Sequence, residues 1–159
     1  MLARAGQAMA SGHYQTLSWS DTIFAPLALE HDAKEHRLIW PPQSPLVAEG
    51  DAILLRLMLR NLLENAVRYS PKGTVIEVKL EETGDGTRVS VLDQGPGIDE
   101  AHRQSITEPF RRIDQRYGGS GLGLSIVQRI LQLHRGTLHL ENRPEGGLIV
   151  SCWLPAKLR

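Results

Sequence analysis

Three segments of this chain carry residue types whose chemistry fits together. Residues 61–69 (NLLENAVRY) place Asn61 and Asn65 one helical turn apart. Residues 93–98 (DQGPGI) set the carboxylate of Asp93 just ahead of Gly95 and Gly97. Residues 118–124 (GGSGLGL) lead a run of glycines into an apolar helix. An amide oxygen facing a pocket suits Mg²⁺, which takes hard oxygen ligands alongside waters and phosphates. A carboxylate at the end of a strand suits an exocyclic amine. Backbone amides at a helix start suit phosphate. Together the three form an inventory for ATP with magnesium.

Each segment also has a plainer reading. Asn61, Glu64, Asn65 and Arg68 fall at i, i+3, i+4 and i+7, so they form one polar stripe opposite Leu55, Leu59, Leu62, Leu63 and Ala66. That stripe is either a solvated face, with Glu64 and Arg68 paired, or the wall of a pocket. Asparagine is a poor residue for mid-helix, which favours the pocket. At the stripe's end, Arg68 could reach phosphate oxygens. Asp93 lies in phase with Val89 and Val91 and so points inward, where a carboxylate needs a partner. The partner is either a structural cation or a ligand amine. The glycine run is either a hinge or a phosphate loop. It is not a Walker loop, because no Lys-Ser or Lys-Thr follows, and it does not sit in a βαβ unit.

The elements that must hold these residues can be read from periodicity. Residues 1–12 are rich in Ala and Leu and read as the end of a helix belonging to a longer protein. Short strands are expected at 16–19, 37–40 and 46–48. Ser20 and Asp21 read as the cap of a helix over 22–34. The strongest helix runs over about 52–68, opened by Gly50-Asp51 and stopped by Pro71 and Gly73. Strands with alternating apolar residues follow at 74–80 and 87–93, joined by a Gly84-Asp85-Gly86 turn. Residues 99–121 lose apolar periodicity and read as a functional loop. A helix over 122–134, stopped by Gly136, precedes a closing hairpin over 137–154 that turns at residues 144–147. The sum is an α/β two-layer sandwich, with helices on one face of a mixed, largely antiparallel sheet.

Composition narrows the class. The 159 residues suit about one domain. Lys and Arg total 18, as do Asp and Glu, so charge gives no support for nucleic-acid binding. The single cysteine, Cys152, excludes an intrachain disulfide and a cysteine metal cluster. None of the six histidines has a spacing that suggests zinc.

The order and spacing of the motifs resemble the catalytic ATP-binding domain of bacterial two-component sensor histidine kinases. The wider family includes gyrase, the ninety-kilodalton chaperone class and MutL. The pattern is most similar to that of enterobacterial members. Residues 61–69 resemble the asparagine box, and residues 93–97 the first glycine box. Glu108-Pro109-Phe110 resembles the phenylalanine box, and residues 119–123 the second glycine box. The likeness covers residues 20–154. It implies a Bergerat-type ATP-binding fold over residues 13–159, an ATP lid over about 99–121, and a dimerisation-helix remnant at 1–12.

By position, the resemblance makes Asn65 a Mg²⁺ ligand with Asn61 beside it, and puts Arg68 near phosphate. Tyr69 packs on adenine and Asp93 reads its amine. Gly95, Gly97 and Ile98 line the base site, and Phe110 anchors the lid. Arg111 and Arg112 lie near the phosphates. Gly119, Ser120, Gly121, Leu122, Gly123 and Leu124 form the phosphate loop. The implied partners are the parent's own dimerisation domain, which carries the acceptor histidine, and a response regulator. The implied setting is the cytoplasmic side of an inner-membrane homodimer, with this chain itself monomeric.

The hydrolytic members carry a glutamate where this chain has Asn61, and an amide cannot serve as a general base. His31-Asp32-Ala33-Lys34 superficially resembles an acceptor motif but lacks its proline and reads as surface. Three functions remain to be separated: a histidine kinase catalytic module, an ATPase, and a nucleotide-sensing module with no chemistry.

Overall fold

The computed structural model describes residues 15–30, 35–95 and 122–156. The expected helix at 1–12, His31 and the lid at 99–121 lie outside the described residues. Strand β1 (Gln15–Ser18) leads into a π-helical segment (Trp19–Phe24), which continues as α1 (Ala25–Glu30). Strands β2 (Arg37–Ile39) and β3 (Val47–Gly50) precede the long helix α2 (Ala52–Tyr69). Strands β4 (Val75–Glu82) and β5 (Gly86–Leu92) follow. Helix α3 (Leu122–Leu133) and the hairpin of β6 (Thr137–Asn142) and β7 (Leu148–Pro155) complete the order.

The main sheet has the order β2-β4-β5-β7-β6. Only the β2–β4 pair is parallel, so the sheet is mixed and largely antiparallel, as expected. One face is apolar. Ile76, Val78, Val89, Val91, Leu140, Val150, Cys152 and Leu154 are buried in the same cluster as Leu55, Leu59, Leu63, Val127 and Ile130 of the helices. The opposite face carries the exposed residues Lys79, Glu81, Arg88, His139 and Glu141. Period-two alternation thus sorts each strand between a helix-covered face and an open one. Each fully buried Leu, Ile or Met adds roughly 1.5–3 kcal/mol to that cluster.

Two local expectations, on helix capping, are corrected below. The short strands expected at 16–19 and 46–48 form as β1 and β3, but they do not join the main sheet. β1 and β3 pair with each other, antiparallel, in a separate ribbon. Ser18, not Ser20, is the helix cap, and its hydroxyl accepts from the Asp21 amide at 3.0 Å. Trp19 is fully buried together with Ile23 and Leu27, so the core takes it into the helical segment and out of the strand. Ser20 and Asp21 bind the following loop instead, through the Ser44 amide and the Gln43 side chain. Finally, the left-handed residue that ends α3 is Arg135, with φ 60°, and the Gly136 amide donates to Leu131 O at 2.7 Å.

The two helices that flank the site are tied together by a buried imidazole. His134 is fully buried; its Nδ1 donates to Ile130 O at 2.8 Å and its Nε2 accepts from the Asp51 amide at 3.1 Å. Asp51 is the cap of α2, accepting from the Leu54 amide at 3.0 Å. The end of α3 is therefore bonded to the start of α2. Burial lowers the pKa of His134 from 6.5, against the Ile130 carbonyl and the Asp51 charge. The unfolded chain then binds the proton more readily than the fold does. Stability from this group is complete above pH 6.5 and is lost as pH falls from there through the folded value. Urea unfolding at pH 7.5 and 5.5 should show a loss of stability on acidification, and His134→Gln should shrink that loss. An equal loss in both proteins would remove His134 as its source.

Candidate nucleotide-binding site

Helix α2 runs the full expected length because Asp51 caps its start and leucines repeat along its inner face. Its polar stripe divides in two. Asn65 is 8 % exposed and Asn61 is half-buried, while Glu64 and Arg68 face solvent. No ion pair joins Glu64 to Arg68. The Nδ2 atoms of Asn61 and Asn65 are both buried without a hydrogen-bond partner. An unmet buried polar group costs about 1–3 kcal/mol. Two of them, one turn apart, have no acceptor among the described residues, so an acceptor from elsewhere would complete the bonding. Unmet amide N–H groups suit an acceptor such as a phosphate oxygen, and the oxygens of the same amides are the atoms a cation would take.

Asp93 follows the last residue of β5 and is 3 % exposed. Its Oδ1 accepts from the Gly95 amide at 2.9 Å and from the Leu148 amide at 3.1 Å. Arg143 donates to the Asp93 backbone carbonyl at 2.7 Å and does not bond the carboxylate. Among the described residues, then, no structural salt bridge engages the carboxylate. Burial raises the pKa of Asp93 above the ordinary 3.8, and the amides of Gly95 and Leu148 and the charge of Arg143 oppose the rise. Gly95 packs against the end of α2, where a Cβ would come within 2.7 Å of Tyr69 O, so only glycine fits there. Tyr69 itself is partly buried against the core.

These groups meet. A cavity of about 10 Å³ is lined by Leu62, Asn65, Ala66, Val91, Asp93, Leu124 and Val150. That is room for about one water. Its lining surface is almost wholly apolar, and the space that the described residues enclose is too small for a heterocycle. Three residues expected from sequence, Asn65, Asp93 and Leu124, thus share one cavity although they come from α2, the end of β5 and the start of α3. Gly97, Ile98, Phe110, Arg111, Arg112, Gly119, Ser120 and Gly121 lie outside the described residues. Leu122 and Gly123 belong to the first turn of α3. Asn61 and Arg68 lie on the same helix as Asn65 and do not line the cavity.

The glycine-rich approach to α3, the adjoining asparagine helix and a buried strand-end aspartate match one known family. Residues 50–158 fit the model of the histidine kinase-, DNA gyrase B- and HSP90-like ATPases. The chain belongs to this family. Sensor protein BasS of Escherichia coli K12 is 48 % identical over 149 residues, covering 91 % of this chain and 41 % of BasS. Sensor histidine kinase CpxA of the same organism is 38 % identical over 142 residues, covering 86 % of this chain and 30 % of CpxA. The chain thus spans well under half the length of these relatives. Among solved structures, the catalytic domain of histidine kinase ThkA superposes with a TM-score of 0.77 at 25 % identity, covering 90 % of this chain and 97 % of that one. The mycobacterial sensor histidine kinase MprB superposes with a TM-score of 0.74, also at 25 % identity, covering 92 % and 99 %. The family domain in this chain is therefore an ATP-binding catalytic domain of the sensor histidine kinase type, and the α/β sandwich expected from sequence is its fold.

Sequence reasoning left out Val150 as a wall of the site, and the two residues that hold Asp93. Val150 was accessible to it in principle, since it pairs in register with Val91, two residues before Asp93. Leu148 and Arg143 reach Asp93 across 55 and 50 residues of chain, and no local pattern announces such contacts. Among the described residues no helix is long and apolar enough to cross a membrane, and no cluster of three His, Cys, Asp or Glu residues could hold a metal.

Proposed function

We propose that this domain holds ATP and Mg²⁺ and presents the γ-phosphoryl group to a histidine on a separate dimerisation domain, for onward transfer to a response-regulator aspartate. The observation that carries the reading is the shared cavity of Asn65, Asp93 and Leu124. Asp93 accepts the exocyclic amine of adenine on a carboxylate already fixed by two backbone amides. Asn65, with Asn61 beside it, supplies amide oxygen toward the metal. Arg68, exposed at the end of α2, reaches the phosphates, and Arg111 and Arg112 do the same from the lid. When bound, Mg²⁺ neutralises phosphate charge. Transfer breaks the bond between the γ-phosphorus and the β–γ bridging oxygen of ATP, forms a P–N bond to an imidazole nitrogen and releases ADP, and its catalysis is largely placement and charge stabilisation. Asn61 stands where the hydrolytic members carry their glutamate. Its amide takes no proton from water, so ATP is kept for the acceptor. The parent protein is read as an inner-membrane homodimer with this domain on its cytoplasmic side.

The test uses radiolabelled ATP with Mg²⁺, first with this chain alone and then with the dimerisation domain of its own parent protein. Alone, the chain should neither label itself nor release phosphate appreciably. With the acceptor domain, label should appear on a histidine as an acid-labile, alkali-stable phosphate. Transfer between separate modules will be slower than within the parent, because the tether's effective concentration is lost. Rapid phosphate release would make the domain an ATPase, particularly if Glu64→Gln stopped it. Binding of ATP with no label on the acceptor would make it a nucleotide sensor.

A further inference from the structure

We propose that Arg143 is a positioning residue for nucleotide selectivity: it fixes the Asp93 segment from the β6–β7 turn so that the carboxylate meets the base. This rests on the reading of Asp93 as the group that recognises adenine. The turn is built tightly. The Arg143 amide donates to Gly147 O at 2.9 Å, and the Gly146 amide donates to Arg143 O at 3.1 Å. Gly146 and Gly147 have φ of 103° and 110°, which favour glycine. At Gly147 a Cβ would also fall on the Asp93 carbonyl oxygen, so the turn and the Asp93 segment are in backbone contact.

From that turn Asp93 is held at three points. Its amide donates to Leu148 O at 3.0 Å. Its carboxylate accepts from the Leu148 amide at 3.1 Å. Its carbonyl accepts from Arg143 Nη1 at 2.7 Å. The Arg143 side chain is only 17 % exposed and is steadied by Glu145, with Nε 3.3 Å from Oε1. The choice of atom matters. A guanidinium on the carboxylate would occupy the acceptor a ligand needs. On the carbonyl, it lends positive charge to the site and leaves the carboxylate without a cation bonded to it. Its charge favours the ionised form of Asp93, against burial. Among the described residues, Arg143 and, through it, Glu145 are the charges facing Asp93. Asn65 of α2, Leu124 of α3 and Val150 of β7, which complete its surroundings, carry none.

The experiment titrates wild type, Arg143→Met and Arg143→Lys with a non-hydrolysable ATP analogue and its guanine counterpart, each with Mg²⁺, from pH 3.8, the ordinary value for Asp93, up to pH 8. Wild type should prefer the adenine analogue. Arg143→Met should weaken adenine binding about tenfold, the order of one hydrogen bond involving a charged group. It should weaken guanine binding less, and it should move the pH midpoint of adenine binding upward. Arg143→Lys keeps the charge and should hold the midpoint near wild type. It also carries the test if thermal unfolding shows that Arg143→Met is poorly folded. Equal weakening of both analogues, or an unmoved midpoint in Arg143→Met, overturns the role of Arg143. A wild type with no adenine preference overturns instead the reading of Asp93.

Discussion

Asn65→Ala is expected to abolish measurable binding of Mg²⁺-ATP while the domain stays folded. The two halves of that result have separate causes. Loss of even an outer partner of a metal site commonly costs roughly 10–100-fold, so loss of a direct ligand should cost at least about 100-fold. Stability responds differently. The Nδ2 of Asn65 is buried and unpartnered in the free domain, so truncation removes an unmet polar group along with the amide. The two effects oppose, and the net change should stay within about 1–2 kcal/mol. Asn65→Asp keeps an oxygen ligand at the same reach and should retain part of the Mg²⁺-dependent affinity that alanine loses. Calorimetric titration with an ATP analogue, with and without Mg²⁺, reads the first effect, and urea unfolding reads the second. Unchanged affinity in Asn65→Ala would remove Asn65 from the metal site. Unfolding of that variant would mean that its amide is a core group after all.

The split of the polar stripe on α2 shows what could and could not be read in advance. The spacing of Asn61, Glu64, Asn65 and Arg68 places all four on one side of the helix. At about 100° per residue, however, Asn65 sits at the edge of the stripe next to Leu62 and Ala66, whereas Glu64 sits at the other edge. Leu62 and Ala66 line the cavity, and Asn65 is drawn in with them. The pattern therefore contained the burial of Asn65, though only the sheet beneath gives it meaning. Alternation likewise revealed the four long strands and the inward direction of Asp93, because a sheet covered on one face leaves a period-two record. Short elements leave no such record. β1 and β3 have four residues each, and nothing in either selects the other as its partner. Ser18, Ser20 and Asp21 are all competent caps by residue type. Burial of Trp19 decided among them. The hold of Arg143 on Asp93 is a side-chain bond to a backbone carbonyl, which any sequence could offer, and only the β5–β7 register brings the two together.

Asp93→Asn should cost roughly 10–150-fold in ATP affinity, the worth of a hydrogen bond to a charged group. The loss should be selective. Gly95 and Leu148 would hold the amide oxygen of an asparagine where they now hold Oδ1, which turns its NH₂ toward the base. A donor then faces the amine of adenine, whereas guanine presents an acceptor at that edge, so preference should move toward GTP. Wild type gives a second signature through pH. Burial raises the pKa of Asp93 above 3.8 despite the two amides and Arg143. The carboxylate is needed to accept, so ATP affinity should fall as pH drops through the raised value. Stability should respond with the opposite sign. The fold favours the protonated group, so its contribution is complete below pH 3.8 and is lost as pH rises through the folded value. Subtracting the pH profile of Asp93→Asn from that of wild type isolates both effects from other groups, His134 included. Affinity and stability that move together in that difference, or an Asp93→Asn that still prefers ATP, would show that the carboxylate belongs to the core and not to the ligand.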